Sequence, residues 1–291
     1  MNHVVLQAKA DADSLIVEQT IEVAEKFDTV LIGDDTDLLV LLLYHVKIDS
    51  HDIYFAPDSR SSSSRRVWDI KQTKRELGSN ICKHILFIHA FLGCDTTSRL
   101  FGVGKGALIK KFKTNASLQL SAEVFNSVGS SHEAIETAGE KVVVTIYNGK
   151  NESLNSIRHK KFIEKLAPSM NHIEPKSLPP AAAAEKLHSY RVYLQICQWK
   201  DPACELEPNL WGWAQTEAGF FPITTDLPPT TQDLLKIVRC NCTTDCSSGR
   251  CSCQKHGMKC SLACGQCRGS SCSNASPMIT YEEDPLEEDT P

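Results

Sequence analysis

The 291-residue chain predicts an α/β domain built on a parallel sheet, followed by a small helical segment and a cysteine-rich module that holds metal. Three observations carry this expectation. Short apolar runs closed by glycine alternate with helix-period segments through residues 1–166, as in Thr29-Val30-Leu31-Ile32 before Gly33. Acidic residues gather where such runs end. Nine of the 13 cysteines lie between Cys240 and Cys272 with the spacing C-x-C-x3-C-x4-C-x-C-x6-C-x3-C-x2-C-x4-C, a density that packing alone does not call for.

Composition sets the bounds. A hydrophobic content of 41% can bury one good core and leave an appendage. The longest strongly apolar stretch, residues 38–44, is too short to span a membrane. Met1-Asn2-His3-Val4-Val5 lacks the basic start and long apolar centre of a secretory signal. The expectation is a soluble intracellular protein without a membrane partner. A formal charge of −5 gives no global nucleic-acid signal. The tail 275–291 carries Glu282, Glu283, Asp284, Glu287, Glu288 and Asp289 and is expected to be disordered.

In chain order, Asp11-Ala12-Asp13 opens an amphipathic helix whose expected apolar face is Leu15, Ile16, Val23, Ala24 and Phe27. Thr29-Val30-Leu31-Ile32 reads as a short buried strand. Asp34-Asp35-Thr36-Asp37 then starts a helix through Tyr44, with Asp34 or Thr36 as a candidate cap. A strand over 67–70, a helix over 71–77, and a Gly78 stop with Ser79 as N-cap of a helix over 80–92 follow. Leu178-Pro179-Pro180 marks a boundary. Helical spacing then runs from Ala182 to Cys197, before a segment with Trp199, Trp211, Trp213, Phe220 and Phe221 that reads as a small core and a short helix over 231–237. The zones are therefore 1–166, 178–237, 238–274 and 275–291.

Asp35 and Asp37 fall at the carboxyl end of a strand, the edge where open α/β sheets bind ligands. With Asp11, Asp13 and Asp95, which follows Gly93-Cys94, they make a set of carboxylates that would repel one another unless neutralised. Hard divalent cations, Mg²⁺ or Mn²⁺, are the usual counter-charge. Two such ions about 4 Å apart can activate a water and stabilise a leaving oxygen in phosphodiester hydrolysis. Taken singly, Asp11 or Asp13 reads more often as a helix-start charge complementing the dipole. After Asp95 comes Gly102-Val103-Gly104-Lys105-Gly106 with Lys110, Lys111 and Lys113. It resembles a helix-hairpin-helix over about 96–113, whose turn presents backbone amides to a phosphate. His45, His84 and His89 lack ligand spacing and read as structural.

Asp11, Asp13, Asp35 and Asp37, then Gly93-Cys94-Asp95 and Gly102-Val103-Gly104-Lys105, resemble the internal nuclease region of the flap endonuclease group, within the PIN-like superfamily. The likeness covers residues 8–113, with the nuclease region at 8–95. It implies a 5′-nuclease α/β fold acting on branched or 5′-ended DNA with two magnesium ions. Asp11, Asp13, Asp35, Asp37 and Asp95 would be its metal carboxylates. Gly102, Gly104, Lys105, Gly106, Lys110 and Lys111 would contact nucleic acid. The family's first strand should precede Asp11, yet ten residues do, so the domain reads as incomplete at its N-terminus. Both acids of the first pair are Asp where the family commonly has Glu.

The nine cysteines close a simple count. Three tetrahedral zincs need twelve bonds, which nine thiolates supply when six bind once and three bridge. A disulfide staple fits less well, because nine is odd and a secretory signal is lacking. The candidate zinc ligands are Cys240, Cys242, Cys246, Cys251, Cys253, Cys260, Cys264, Cys267 and Cys272. His256 reads as exposed, and Cys82, Cys94, Cys197 and Cys204 as small buried hydrophobes. The spacing resembles the CXC domain of tesmin-type proteins, several of which bind DNA. There a tyrosine precedes the cysteine equivalent to Cys251; here it is Arg250, a residue able to enter a narrow minor groove.

Residues 239–272 carry five basic side chains and one acid, and three Zn²⁺ with nine thiolates carry −3, leaving about +1. That is weak attraction for phosphate, so nucleic-acid binding and protein docking both stay open for the module. The reading as a whole is a nuclear, metal-dependent, structure-specific nuclease-like protein with a zinc module and nucleic acid, DNA first, as partner. The alternative is an inactive nuclease-like scaffold in which the zinc module binds DNA or protein.

Overall fold

The computed structural model describes residues 4–8, 11–58, 67–150, 152–166, 175–226, 239–243, 245–255, 258–260, 264–270 and 272–275. It is a mixed α/β structure, mostly helical, with small sheets and a cysteine-rich C-terminal cluster. It divides into two units, Met1–Asp226 and Leu227–Pro291. No helix among the described residues is long and apolar enough to cross a membrane. The expected helix over 231–237, His256 and the acidic residues of the tail lie outside the described residues.

The first unit opens with α1 (Asp13–Val23) and β1 (Thr29–Ile32), then α2 (Thr36–His45) and β2 (Ile53–Ala56). β3 (Trp68–Asp69), α3 (Ile70–Leu77) and α4 (Ser79–Phe91) follow. The sheet order is β1-β2-β3. β1 pairs in parallel with β2, Leu31 opposite Phe55, and α2 makes the crossover; β3 runs antiparallel to β2. β1 is therefore an edge strand. Leu31 is buried, but Val30 and Ile32 are 56% and 62% exposed, which corrects the expected buried strand. Alternation puts one side chain inward and its neighbours outward when only one face of a sheet is covered.

The same open flank corrects the expected face of α1. Val17 and Ala24 are buried, while Ile16, Val23 and Phe27 are exposed. Caps also moved. Asp35, not Asp34 or Thr36, is the N-cap of α2, accepting the Asp37 N–H at 2.8 Å; Asp34 instead accepts the Asp58 N–H at 2.9 Å, tying the ends of β1 and β2 together. Ser79 is the first residue of α4, and its N-cap is Gly78 at φ 88°, a conformation that glycine takes without steric cost.

α4 is buried on nearly all sides, through Ile81, Ile85, Phe87, Ile88 and Phe91 among others, as a helix apolar all round should be. Around it lie α5 (Lys105–Thr114), α6 (Ala116–Asn126), α7 (His132–Ile146), α8 (Leu154–Leu166) and α9 (Ala182–Lys200). Asn115 caps α6 by accepting the Leu118 N–H at 2.9 Å, and Ser131 caps α7 by accepting the Ala134 N–H at 3.2 Å. Residues 178–226, set apart by composition, share this core: Leu187, Tyr193, Ile196, Trp199 and Trp211 join it. β4 (Trp213–Thr216) and β5 (Gly219–Pro222) form an antiparallel hairpin. On it Phe220 and Phe221 are exposed rather than packed, since a two-stranded ribbon has no second layer to cover them. Cys82 is buried, whereas Cys94, Cys197 and Cys204 are half-buried.

The second unit has another kind of interior. Its buried side chains include Cys240, Cys246, Cys251, Cys253, Cys260, Cys264 and Cys267, with Cys242 and Cys272 against them. A short helix, Ser252–Lys255, and the Cys260–Ala275 bridge are its regular structure among the described residues.

Candidate metal centres

The carboxyl end of β1 and the N-termini of α1 and α2 bring three acids together. Carboxylate oxygens of Asp13, Asp35 and Asp37 lie within 4.8 Å of one another. Ligands at about 2.0–2.6 Å from a hard cation can be this far apart across its coordination sphere, so the spacing suits one shared ion. Asp13 titrates well above an ordinary carboxyl, at about 6, through burial and then the charges of Asp11, Asp35, Asp37 and Asp95. Asp11 lies beside it, accepting the Asp13 N–H at 3.2 Å. Asp11 and Asp95 are thus electrostatic neighbours of the cluster, outside the close threesome.

Gly93 places Asp95. Its φ is +107°, and a Cβ there would meet the Arg99 main chain at 2.9 Å, so the loop after α4 folds back on the glycine. Thr97 secures that loop, its hydroxyl donating to the Ala90 carbonyl at 2.6 Å and accepting the Cys94 N–H at 3.1 Å. These side-chain bonds compete with helix formation. In the stretch expected as a helix-hairpin-helix, residues 96–104 are turns and irregular backbone, Gly102 takes φ +72°, and Gly104 is the N-cap of α5. Gly106 lies in the first turn, open to solvent.

Asp37 is held from behind. Its Oδ1 lies 2.6 Å from His89 Nε2, and both residues are buried. Lys105 Nζ lies against the same ring, 2.9 Å from Nδ1 and 3.4 Å from Nε2. An ionised carboxylate can only accept, so Nε2–H donates to Asp37. Lys105 from the glycine turn and Asp37 from the acid group therefore meet at one ring of α4. Burial lowers the Lys105 ammonium's pKa, while the Asp37 charge opposes the shift. Sequence spacing gives His89 a structural role only, since no such signal links it to an acid 52 positions away.

The basic candidates separate. Lys111 donates to the Thr145 and Ile146 carbonyls at 3.1 and 2.8 Å, capping the C-terminus of α7. It is held there rather than at the turn. Lys110 is exposed, as is Arg250 in the other unit. His45 and His84 bond main-chain carbonyls of Trp199 and Asn80.

In the second unit the sulfurs form three foursomes, each within 4.8 Å: Cys240, Cys253, Cys260 and Cys264; Cys240, Cys246, Cys251 and Cys260; Cys246, Cys260, Cys267 and Cys272. Cys240–Cys246, Cys240–Cys260 and Cys251–Cys260 are each 3.8 Å apart. A tetrahedron with Zn–S of about 2.3 Å has edges of about 3.8 Å. No disulfide is present among the described residues. The cluster can hold zinc. The Gln254 N–H keeps Cys251 down at about 6 and the Gly269 N–H keeps Cys267 down at about 7, whereas burial drives Cys246 and Cys260 up. Main-chain bonds brace the cluster, Cys260 N–H to Asn274 O at 2.9 Å and Gly265 N–H to Cys240 O at 3.0 Å.

Comparison with protein-family models, curated proteins and solved structures gives no match. The PIN-like fold is not confirmed, and the likeness to both families rests on the residues themselves.

Proposed function

We propose that the chain is a divalent-metal-dependent, nuclease-like hydrolase acting on nucleic acid, DNA first, and that its second unit is a structural zinc module of the CXC type. The meeting of Asp13, Asp35 and Asp37 carries the first half. These three would hold Mg²⁺ or Mn²⁺, with Asp11 and Asp95 adding negative charge beside them. The ion supplies activation of water and charge stabilisation at a phosphodiester. His89 keeps Asp37 in place by donating to Oδ1, and Lys105 sets its ammonium against the same ring. The exposed turn at Gly102, Gly104 and Gly106, with Lys110, offers main-chain N–H groups and charge to a phosphate.

The sulfur geometry supports three zincs in the second unit. Cys240, Cys246 and Cys260 recur among the foursomes and serve as bridges. Cys253 with Cys264, and Cys267 with Cys272, complete two sites, and Cys251, with Cys242 packed against the cluster, is left for the third.

The test is cleavage of flap and nicked DNA by the full chain with Mg²⁺ or Mn²⁺. Cleavage that disappears in Asp35→Ala supports the reading, and cleavage indifferent to that substitution overturns it. Nucleic-acid binding without turnover in either metal is the scaffold outcome.

A further inference from the structure

In the first unit, a cavity of about 300 Å³ lies between the 98–101 loop, α8, the 175–180 segment and α9. Four cations line it, Arg99, Arg158, Lys176 and Arg191, and among the described residues no carboxylate does. A fifth, Lys165, sits over the Phe101 ring at 5.4 Å. Arg191 is 4% exposed, and both its hydrogen bonds leave through Nη1, to the Gly212 and Ile223 carbonyls at 3.1 and 2.8 Å. Arg158 donates to the Pro179 carbonyl. Among the described residues none of Arg99, Arg158 and Arg191 has an acidic partner. A buried guanidinium without a counter-charge is costly, and burial lowers the Arg191 pKa. Among the described residues nothing balances the charge of these three arginines.

We propose that this cavity binds a phosphorylated nucleotide unit, its phosphate taken by Arg99, Arg158 and Arg191 and its sugar or base laid against Phe101, Leu178 and Pro222. Guanidinium forks suit phosphate oxygens. Size and apolar lining argue for more than inorganic phosphate, since pockets of this volume take small organic ligands. His188 adds a polar demand. Its Nε2 lies 3.0 Å from the Phe91 carbonyl, so Nε2 carries the proton and Nδ1 is an acceptor. Among the described residues Nδ1 is buried without a partner. Burial, with Arg191 nearby, keeps the ring neutral at pH 7 by holding its pKa at about 4. A sugar hydroxyl or a base amine can donate to Nδ1. The proposal goes beyond the nuclease reading, since it needs neither metal nor cleavage, although the cavity wall belongs to the chain segment joining Asp95 to Gly102.

The test is titration of the full chain, without divalent metal, with a nucleoside monophosphate, the matching nucleoside, inorganic phosphate, and oligonucleotides with and without a terminal phosphate. The nucleoside monophosphate is expected to bind at least about tenfold tighter than nucleoside or phosphate alone, and Arg99→Gln and Arg158→Gln each to weaken it about tenfold. Preference for the phosphorylated oligonucleotide identifies a strand end as the ligand; equal binding of the free nucleotide identifies the mononucleotide. Absence of saturable binding by every phosphate probe, or affinity unchanged in both folded variants, overturns the proposal. Asp35→Ala should leave this binding intact, so a failure of cleavage bears on the nuclease reading alone.

Discussion

Replacing His89 tests whether the buried ring holds Asp37. In His89→Ala, Asp37, 8% exposed, loses a 2.6 Å hydrogen bond, and a bond to a charged group contributes about 1.5–3 kcal/mol. The ring also packs near Trp199, with centroids 5.9 Å apart, so the truncation adds a cavity cost. The single substitution should therefore destabilise by about 3–5 kcal/mol. A double-mutant cycle with Asp37→Asn separates the two terms, because the cavity cost cancels. The expected coupling is about 1.5–3 kcal/mol, measured by urea denaturation monitored by tryptophan fluorescence. His89→Gln, whose amide reaches the Nε2 position, should recover part of the loss. Coupling within the additivity error of about 0.5 kcal/mol would refute His89 as the anchor of Asp37.

Two further outcomes follow from the metal centres. Cys260 belongs to all three sulfur foursomes and Cys272 to one, so Cys260→Ser should empty the module of zinc while Cys272→Ser keeps most of it, read by elemental analysis of the purified chain; equal losses would contradict the shared-ligand arrangement. Asp13 titrates at about 6 in the folded chain, above its ordinary 3.8, so its ionisation costs stability as pH rises between those values. A cation that binds the ionised cluster should relieve this, and the rise in Tm caused by Mn²⁺ should be larger at pH 7.5 than at pH 5; an equal rise at both would place the ion elsewhere.

Local signals in the sequence located two of the three strands of the first sheet and the two clusters of candidate metal ligands. Gly33 and Gly78 ended runs of the right length, and the cysteine spacing announced sulfur chemistry before any fold. β2 was not legible, because Ile53-Tyr54-Phe55-Ala56 is too short a run to be told from a buried helix segment. The exposure of Val30 and Ile32 was also hidden, since strand pattern reports preference and not which face is covered. His89 needed tertiary proximity to appear. α9 concealed more: Glu185 is 2% exposed, bonded to Ser189 and pushed up to about 8 by burial, and such a buried acid reads in sequence as an ordinary first-turn carboxylate.

The sulfur interior of the second unit means that its shape and its composition are one variable. A hydrophobic core persists in any aqueous medium, but an interior of thiolates exists only while metal outcompetes protons, chelators and oxidants for the same atoms. The short spacings that suit a tetrahedral edge, Cys253 to Cys264 at 3.5 Å among them, are also a small displacement from covalent S–S contact. Loss of metal under oxidising conditions would therefore leave cross-linked sulfur where an ordered fold had been. Return to the original arrangement would then require reductant as well as zinc, giving this end of the chain a memory of past redox exposure.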